Sequence, residues 1–188
     1  NLRQLQDKSA LDEIFLALNE SQNSNLGTQK SRKPILVKIA PDLSFDALDE
    51  ILELVSSRRI SGIVASNTTI ARPQTSKRCL EKIYSETGGL SGRPLRQRSI
   101  EMIRHIFKQT RGALPIIGVG GVFDAADAFA KIRAGASLVQ IYTGLVYEGP
   151  SIARNIVTKL KRRLAEEGFA GLKDAVGVGA APHRTAGL

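Results

Sequence analysis

Apolar residues recur along this chain in two rhythms. Five stretches repeat at helical spacing. They are Leu11, Ile14, Phe15 and Leu18 after Ser9; Phe45, Leu48, Ile51, Leu52 and Val55 after Ser44; Ile100, Ile103, Ile106 and Phe107 after Ser99; Ala128, Phe129 and Ile132 after Asp124; and Ile152, Ile156, Leu160 and Leu164. Ser44 and Asp124 are residue types that cap helix starts, while Gly135 and Gly168 suit helix ends. Four shorter runs, 35–40 (ILVKIA), 61–65 (SGIVA), 115–119 (PIIGV) and 137–142 (SLVQIY), are almost continuous in Val, Ile and Leu. Such runs predict strands buried on both faces, as in a parallel sheet wrapped by helices. The order is one helix followed by four strand–helix units, with no Asn-Gly hairpin signal between strands. The fold class is therefore α/β, either an open doubly wound sheet or a piece of a (βα) barrel.

Strand starts at 35 and 61, and at 115 and 137, are one compact βα unit apart, but 61 to 115 is about twice as far. The excess lies in residues 66–98, directly after a strand. Connections of that length are often functional, and in α/β folds ligands bind at the C-terminal strand ends.

Candidate chemistry gathers at those ends. Lys38 interrupts an apolar strand, on the side it shares with Leu36 and Ala40, and a buried ammonium there calls for an anionic partner. That partner is a structural carboxylate or a bound anion. Ser66, Asn67, Thr68 and Thr69 follow the second strand and suit either a turn or hydrogen bonds to a polar planar ligand. Gly88, Gly89, Ser91 and Gly92 lie in the long connection, as a turn, a lid or a close backbone approach to a ligand. Gly118, Gly120 and Gly121 end the third strand, where backbone N–H groups can cradle an anion. A dinucleotide fingerprint fails here, because its sixth position is Phe123. Tyr142, Thr143 and Gly144 end the fourth strand. Glycine-bearing ends on the last two strands match the phosphate site of barrel enzymes, which favours the last four strands of an eight-stranded barrel.

Composition narrows the classes. The chain has 188 residues, 42% hydrophobic and 24% charged, enough for a packed core in a single domain spanning 1–188. One cysteine, Cys79, and two histidines, His105 and His183, exclude a disulfide scaffold and leave little for a metal site, so no metal is expected. No apolar run is long enough to cross a bilayer, and no signal peptide is expected from these residues. The net charge of +9 favours an anionic partner. Its main clusters, 30–33 and 159–163, read as solvated faces. With 5% aromatics and no Trp, nucleic acid is not an expected partner. Asp42, after Pro41, reads as a turn or cap residue.

Taken in order, VKIAPDL (37–43), SNTT (66–69), SETGGLSGRPL (85–95), PIIGVGGV (115–122) and RAGASLVQIYTGL (133–145) resemble the quinone-dependent, membrane-associated dihydroorotate dehydrogenase family, from residue 1 to about 175. The resemblance implies the C-terminal half, about four βα units, of a TIM (β/α)8 barrel that holds FMN. It implies oxidation of dihydroorotate to orotate in pyrimidine biosynthesis, with a quinone as electron acceptor. Carried over by motif, Lys38 contacts the flavin and the substrate side, Ser66 contacts FMN, and Asn67 and Thr68 bond orotate. Ser91 and Gly92 line the flavin site, and Gly120, Gly121, Tyr142 and Thr143 hold its phosphate. The family's catalytic base is a serine expected upstream of Asn1, so no catalytic residue is assigned within the chain. A fragment without that serine is expected to be inactive alone and, with open strand edges, prone to aggregate. Peripheral attachment to a membrane is expected through a region preceding these residues. The expected location is the cytoplasmic side of a bacterial inner membrane, or the mitochondrial inner membrane in a eukaryote. Two other readings remain at this point: another FMN- or phosphate-binding barrel oxidoreductase, and a basic domain binding nucleic acid or lipid.

Overall fold

A computed structural model describes residues 4–24 and 32–180 of the chain. The first three residues, Lys30, Ser31 and His183 lie outside the described residues. After a short 3-10 turn (Gln4–Gln6) the order is α1 (Lys8–Ser24), β1 (Leu36–Ile39), α2 (Phe45–Ser57), β2 (Gly62–Ala65), α3 (Arg78–Tyr84), a 3-10 turn (Arg93–Leu95), α4 (Arg96–Gln109), β3 (Ile116–Val119), α5 (Ala125–Ala134), β4 (Leu138–Gln140), α6 (Thr143–Glu148), α7 (Ile152–Glu166) and α8 (Leu172–Ala175).

The four strands are parallel and lie side by side in chain order, β1-β2-β3-β4. Lys38 pairs with Val64, Val64 with Ile117, and Ile117 with Leu138. A doubly wound sheet reverses direction at a switch point, whereas a barrel adds each strand beside the last. The unreversed order is the barrel pattern.

Caps set the helices where the sequence places them. The Ser44 Oγ accepts from the Ala47 N–H at 3.1 Å, and Asp124 Oδ1 from the Asp127 N–H at 2.9 Å. The apolar stripe of α2 (Leu48, Ile51, Leu52, Val55) then meets Ile39, Ile63, Ile103, Ile106 and Ile116 in the main core. Full burial of each such side chain stabilises by roughly 1.5–3 kcal/mol. A second cluster joins Val122 and Ala128 to Ile152 and Ile156, and a third joins Phe129 and Ile132 to Leu164 and Ala175. The Phe107 ring fills the room of three missing side chains, since a Cβ added at Gly112, Gly135 or Gly177 would overlap it. Arg58 grips both oxygens of Asp12 at 2.6 and 2.8 Å and ties α2 to α1.

Several expectations need correcting. Helix α4 begins at Arg96, so Ser99 lies inside its first turn and is fully buried. Leu18 is exposed, because α1 packs only one narrow edge, Leu11 and Phe15. The strands are not covered on both faces. The helices cover the side of Val37, Ile39 and Ile63, while Leu36, Lys38 and Leu138 stand on an open face, Leu138 at 60% exposure. The costly burial expected of Lys38 therefore does not occur. The connection 66–98 holds a helix, α3, with no buried residue, and an antiparallel bridge between Thr69 and Leu90.

Candidate functional site

The C-terminal ends of all four strands open onto one cavity of about 270 Å³. Its wall contains every residue to which the family resemblance gives a cofactor or substrate contact: Lys38, Ser66, Asn67, Thr68, Ser91, Gly92, Gly120, Gly121, Tyr142 and Thr143; Thr69, Gly88, Gly89 and Gly118 lie outside it. Each is delivered by a different local device.

Lys38 stands on β1, exposed on the open face, its Cα beside that of Val64. Ser66 is buried at the exit of β2; its N–H donates to the Val119 carbonyl at 3.1 Å and its hydroxyl to the Asn67 carbonyl at 3.3 Å. The Asn67 N–H donates to the Ile39 carbonyl at 2.7 Å, and its Oδ1 accepts from the Thr68 N–H at 2.9 Å. That leaves the Asn67 NH2 group with two donors to offer.

The following segment is clamped from two sides. Asp42 accepts the Thr69 hydroxyl on one oxygen and the Ile70 N–H at 3.3 Å on the other. The turn reading of Asp42 holds, but its role as a clamp was not visible in sequence. Thr69 and Leu90 exchange both backbone bonds, at 3.0 and 2.7 Å. Arg72 then gathers carbonyls from both arms of the excursion, donating to Gly88 at 2.7 Å, Tyr84 at 2.9 Å and Glu86 at 3.1 Å. This folds the glycine run back over the strand ends. Gly89 must be glycine here, because a Cβ would overlap the Thr68 side chain. Ser91 is fixed by the Thr143 hydroxyl, which donates to its Oγ at 3.0 Å.

Next to β2, β3 ends in Gly120 (φ +105°) and Gly121 (φ +69°). Among the described residues no carbonyl or side chain accepts from the N–H groups of Gly120, Gly121 or Val122. These three unpaired donors, on residues that line the cavity, form a cradle for an oxyanion. Tyr142 lines the cavity while 75% exposed.

Sequence reasoning missed Gln140, Leu95 and Val122, which also line the cavity. It also missed a buried polar group beneath the floor. Arg96 Nε lies 2.8 Å from Asp127 Oδ1, and Asp127 Oδ2 accepts from the Phe123 N–H at 2.9 Å. Next to them Lys131 is fully buried and donates to the Ser99 hydroxyl at 2.8 Å. Burial lowers the Lys131 ammonium from the ordinary 10.5 to about 7; Asp127 partly offsets this and Arg96 adds to it.

Cys79 is exposed, and the described residues contain no group of three or more His, Cys, Asp or Glu side chains arranged for a metal. No described helix is long and apolar enough to cross a membrane. The cluster at 159–163 is exposed on α7, where Arg162 and Arg163 pair with Glu166 and Glu167 at 2.9 and 3.1 Å.

Comparison with known proteins places the chain as a whole. A family model described as dihydroorotate dehydrogenase matches residues 1–164. The chain is 49% identical over 176 residues to dihydroorotate dehydrogenase (quinone) of Gloeobacter violaceus, covering 94% of this chain and 46% of that protein. It is 43% identical over 186 residues to the protein of the same name from Myxococcus xanthus, covering 99% and 48%. The crystal structure of DHODH from Eimeria tenella in complex with ferulenol superposes with a TM-score of 0.87 at 34% identity, covering 97% of this chain and 51% of that one. The chain thus spans about half the length of the curated relatives it matches.

Proposed function

This chain belongs to the dihydroorotate dehydrogenase family, and from that premise we propose that its strand-end cavity is the flavin and orotate site of a quinone-dependent dihydroorotate dehydrogenase. The protein would oxidise dihydroorotate to orotate in pyrimidine biosynthesis. Residues 1–188 would form one domain, with the open face of the sheet as part of a closed barrel's interior. Quinone is the electron acceptor in this reading. Peripheral attachment to a bacterial inner membrane, or to the mitochondrial one in a eukaryote, goes with it.

The carrying observation is the convergence of ten residues, from four strand ends and one connection, on a single cavity. The donor set fits FMN. Three unpaired amides suit a phosphate, and Lys38 places a cation on the open side of the same cavity. FMN, when bound, supplies a two-electron acceptor that takes a hydride from substrate and passes electrons on to quinone. The chain's own residues do the rest by holding and by charge. Lys38 favours negative charge accumulating on the ring system beside it. The Asn67 NH2 group and the Thr68 side chain offer hydrogen bonds to a planar ring bearing carbonyls and a carboxylate. Ser91 and Gly92 close over the cavity, seated on Thr143. None of these groups is assigned the removal of the substrate proton, which the resemblance gives to a serine outside these residues.

The test is a titration of the full-length flavin-loaded protein with orotate, followed in the flavin absorption band. Orotate should shift the band in the parent, and Asn67→Ala should abolish the shift while flavin remains bound. A band shift that persists unchanged in Asn67→Ala, or flavin binding that survives Lys38→Ala and Thr143→Val without loss, would overturn the assignment.

A further inference from the structure

One polar group in the molecule is buried deeper than any role above requires. Lys131 is 0% exposed, on α5, one residue before the apolar Ile132. A lysine there is expensive, since an apolar side chain would fill the same space without desolvating an ammonium. Its stem runs over β3 at Gly118, where an added Cβ would come within 3.2 Å of the Lys131 Cδ. Gly118, the first glycine of the 118–121 run, thus leaves room for the lysine stem beside Ile103 and Ala136 and has no part in the cradle.

The lysine's reach ends on one partner. Its Nζ donates to Ser99 Oγ at 2.8 Å. Ser99 in turn faces two carbonyls, Val119 at 2.6 Å and Ala65 at 3.2 Å. A serine hydroxyl has a single proton. With the lysine donating into its oxygen, that proton is directed to the carbonyls. These are not arbitrary: Ala65 immediately precedes Ser66, and Val119 immediately precedes Gly120. The Val119 carbonyl also receives the Ser66 N–H at 3.1 Å. The two loops that leave these neighbouring strands and line the cavity are therefore tied to one hydroxyl, and its rotor is set by one amine.

We propose that Lys131 is a positioning residue for the strand-end site, acting through Ser99 to fix the Ala65 and Val119 carbonyls and with them the 66–68 and 120–122 arms. The proposal deepens the flavin-site reading and rests on it. It assigns Lys131 no contact with flavin or substrate.

The experiment uses the full-length protein with Ser99→Ala, Lys131→Met and both together, read in two ways. In the flavin-free state, the exchange rate of the Ser66 amide reports the tie directly, because that N–H sits on the Val119 carbonyl. It should rise about tenfold in Ser99→Ala and somewhat less in Lys131→Met, without a matching rise in the α2 and α4 core amides. In the double variant it should rise no further than in Ser99→Ala, because one residue works through the other. In the second readout, the FMN dissociation constant should follow the same order. Ser66 exchange unchanged in Lys131→Met, exchange raised evenly across the core, or single effects that multiply in the double variant would each overturn the proposal. Methionine fits the lysine's volume, so Lys131→Met alone decides the matter should Ser99→Ala fail to fold. A parent that binds no FMN but shows the local exchange pattern would refute the flavin reading and keep the tie. Normal FMN binding with no local exchange change would do the reverse.

Discussion

Replacing Gly121 with alanine tests a close backbone approach beneath the cavity. Two costs combine. Gly121 has φ +69°, where a Cβ costs about 1–2 kcal/mol. The new Cβ would also lie 2.8 Å from both Cα and Cβ of Arg96 and 2.9 Å from its backbone N. Carbon atoms at rest sit about 3.5–4.0 Å apart. Arg96 opens α4 and its guanidinium is held by the buried Asp127, so relief requires the first turn of the helix to back away. Overpacking of this kind costs about 1–3 kcal/mol, giving a total of about 2–5 kcal/mol. Gly168 separates the two terms, because it also has positive φ (+78°) but nothing within 4 Å of an added Cβ. Gly168→Ala should therefore lose only about 1–2 kcal/mol. Urea-denaturation midpoints of the parent and both variants, with the slopes checked for constancy, give the comparison. Equal losses in the two variants would mean that Gly121 and Arg96 do not touch in solution, and the steric reasoning would be wrong.

Three further outcomes are expected. Because the Lys131 pKa falls from 10.5 to about 7 on folding, the native chain holds fewer protons than the unfolded one between those values. Its contribution to stability therefore rises with pH across that window, by up to about 5 kcal/mol. Lys131→Met should flatten that rise in denaturation midpoints measured from pH 7 upward, and parallel curves would contradict it. Thr69→Val removes the hydroxyl that meets Asp42 and accepts from the Ala71 N–H. It should cost about 1–3 kcal/mol locally, seen as faster proteolysis within 70–88 at an unchanged global midpoint. Arg72→Met removes the donor shared by Tyr84, Glu86 and Gly88. It should raise hydrogen exchange across 84–90 severalfold while leaving α2 and α4 protected, and uniform protection would refute the clasp.

Two lysines show what the sequence could and could not disclose. Lys38, set in a run of Val and Ile, reads as buried, yet it stands on the open face of the sheet. Lys131, in a helix with an ordinary mix of apolar and charged residues, attracts no notice, yet it is the one wholly enclosed. A run of apolar residues records what a strand can bury; only the neighbouring strands and helices determine what it does bury. The caps at Ser44 and Asp124 and the four strands were legible because each rests on local spacing or a single hydrogen bond. Ser99 was not, because its partners Ala65, Val119 and Lys131 come from three distant segments. Helix α3 escaped for the opposite reason: it buries nothing, so it leaves no stripe. Eight of the ten site residues converge on one cavity because strand ends in a parallel sheet necessarily point the same way, while Ser91 and Gly92 reach it through the connection that Thr143 holds.

The Phe107 ring, lodged where Gly112, Gly135 and Gly177 lack side chains, leaves this corner of the protein almost no room to change. While the phenylalanine stays, a side chain at any of the three glycines collides with it. Shrinking the ring opens a void that those positions cannot refill, because all three have positive φ (+73°, +125° and +77°), which L side chains rarely adopt, and at Gly135 an added Cβ would still meet the Phe107 Cβ at 2.4 Å. The four residues are therefore bound to one another: a change at any of them leaves either a collision or a hole.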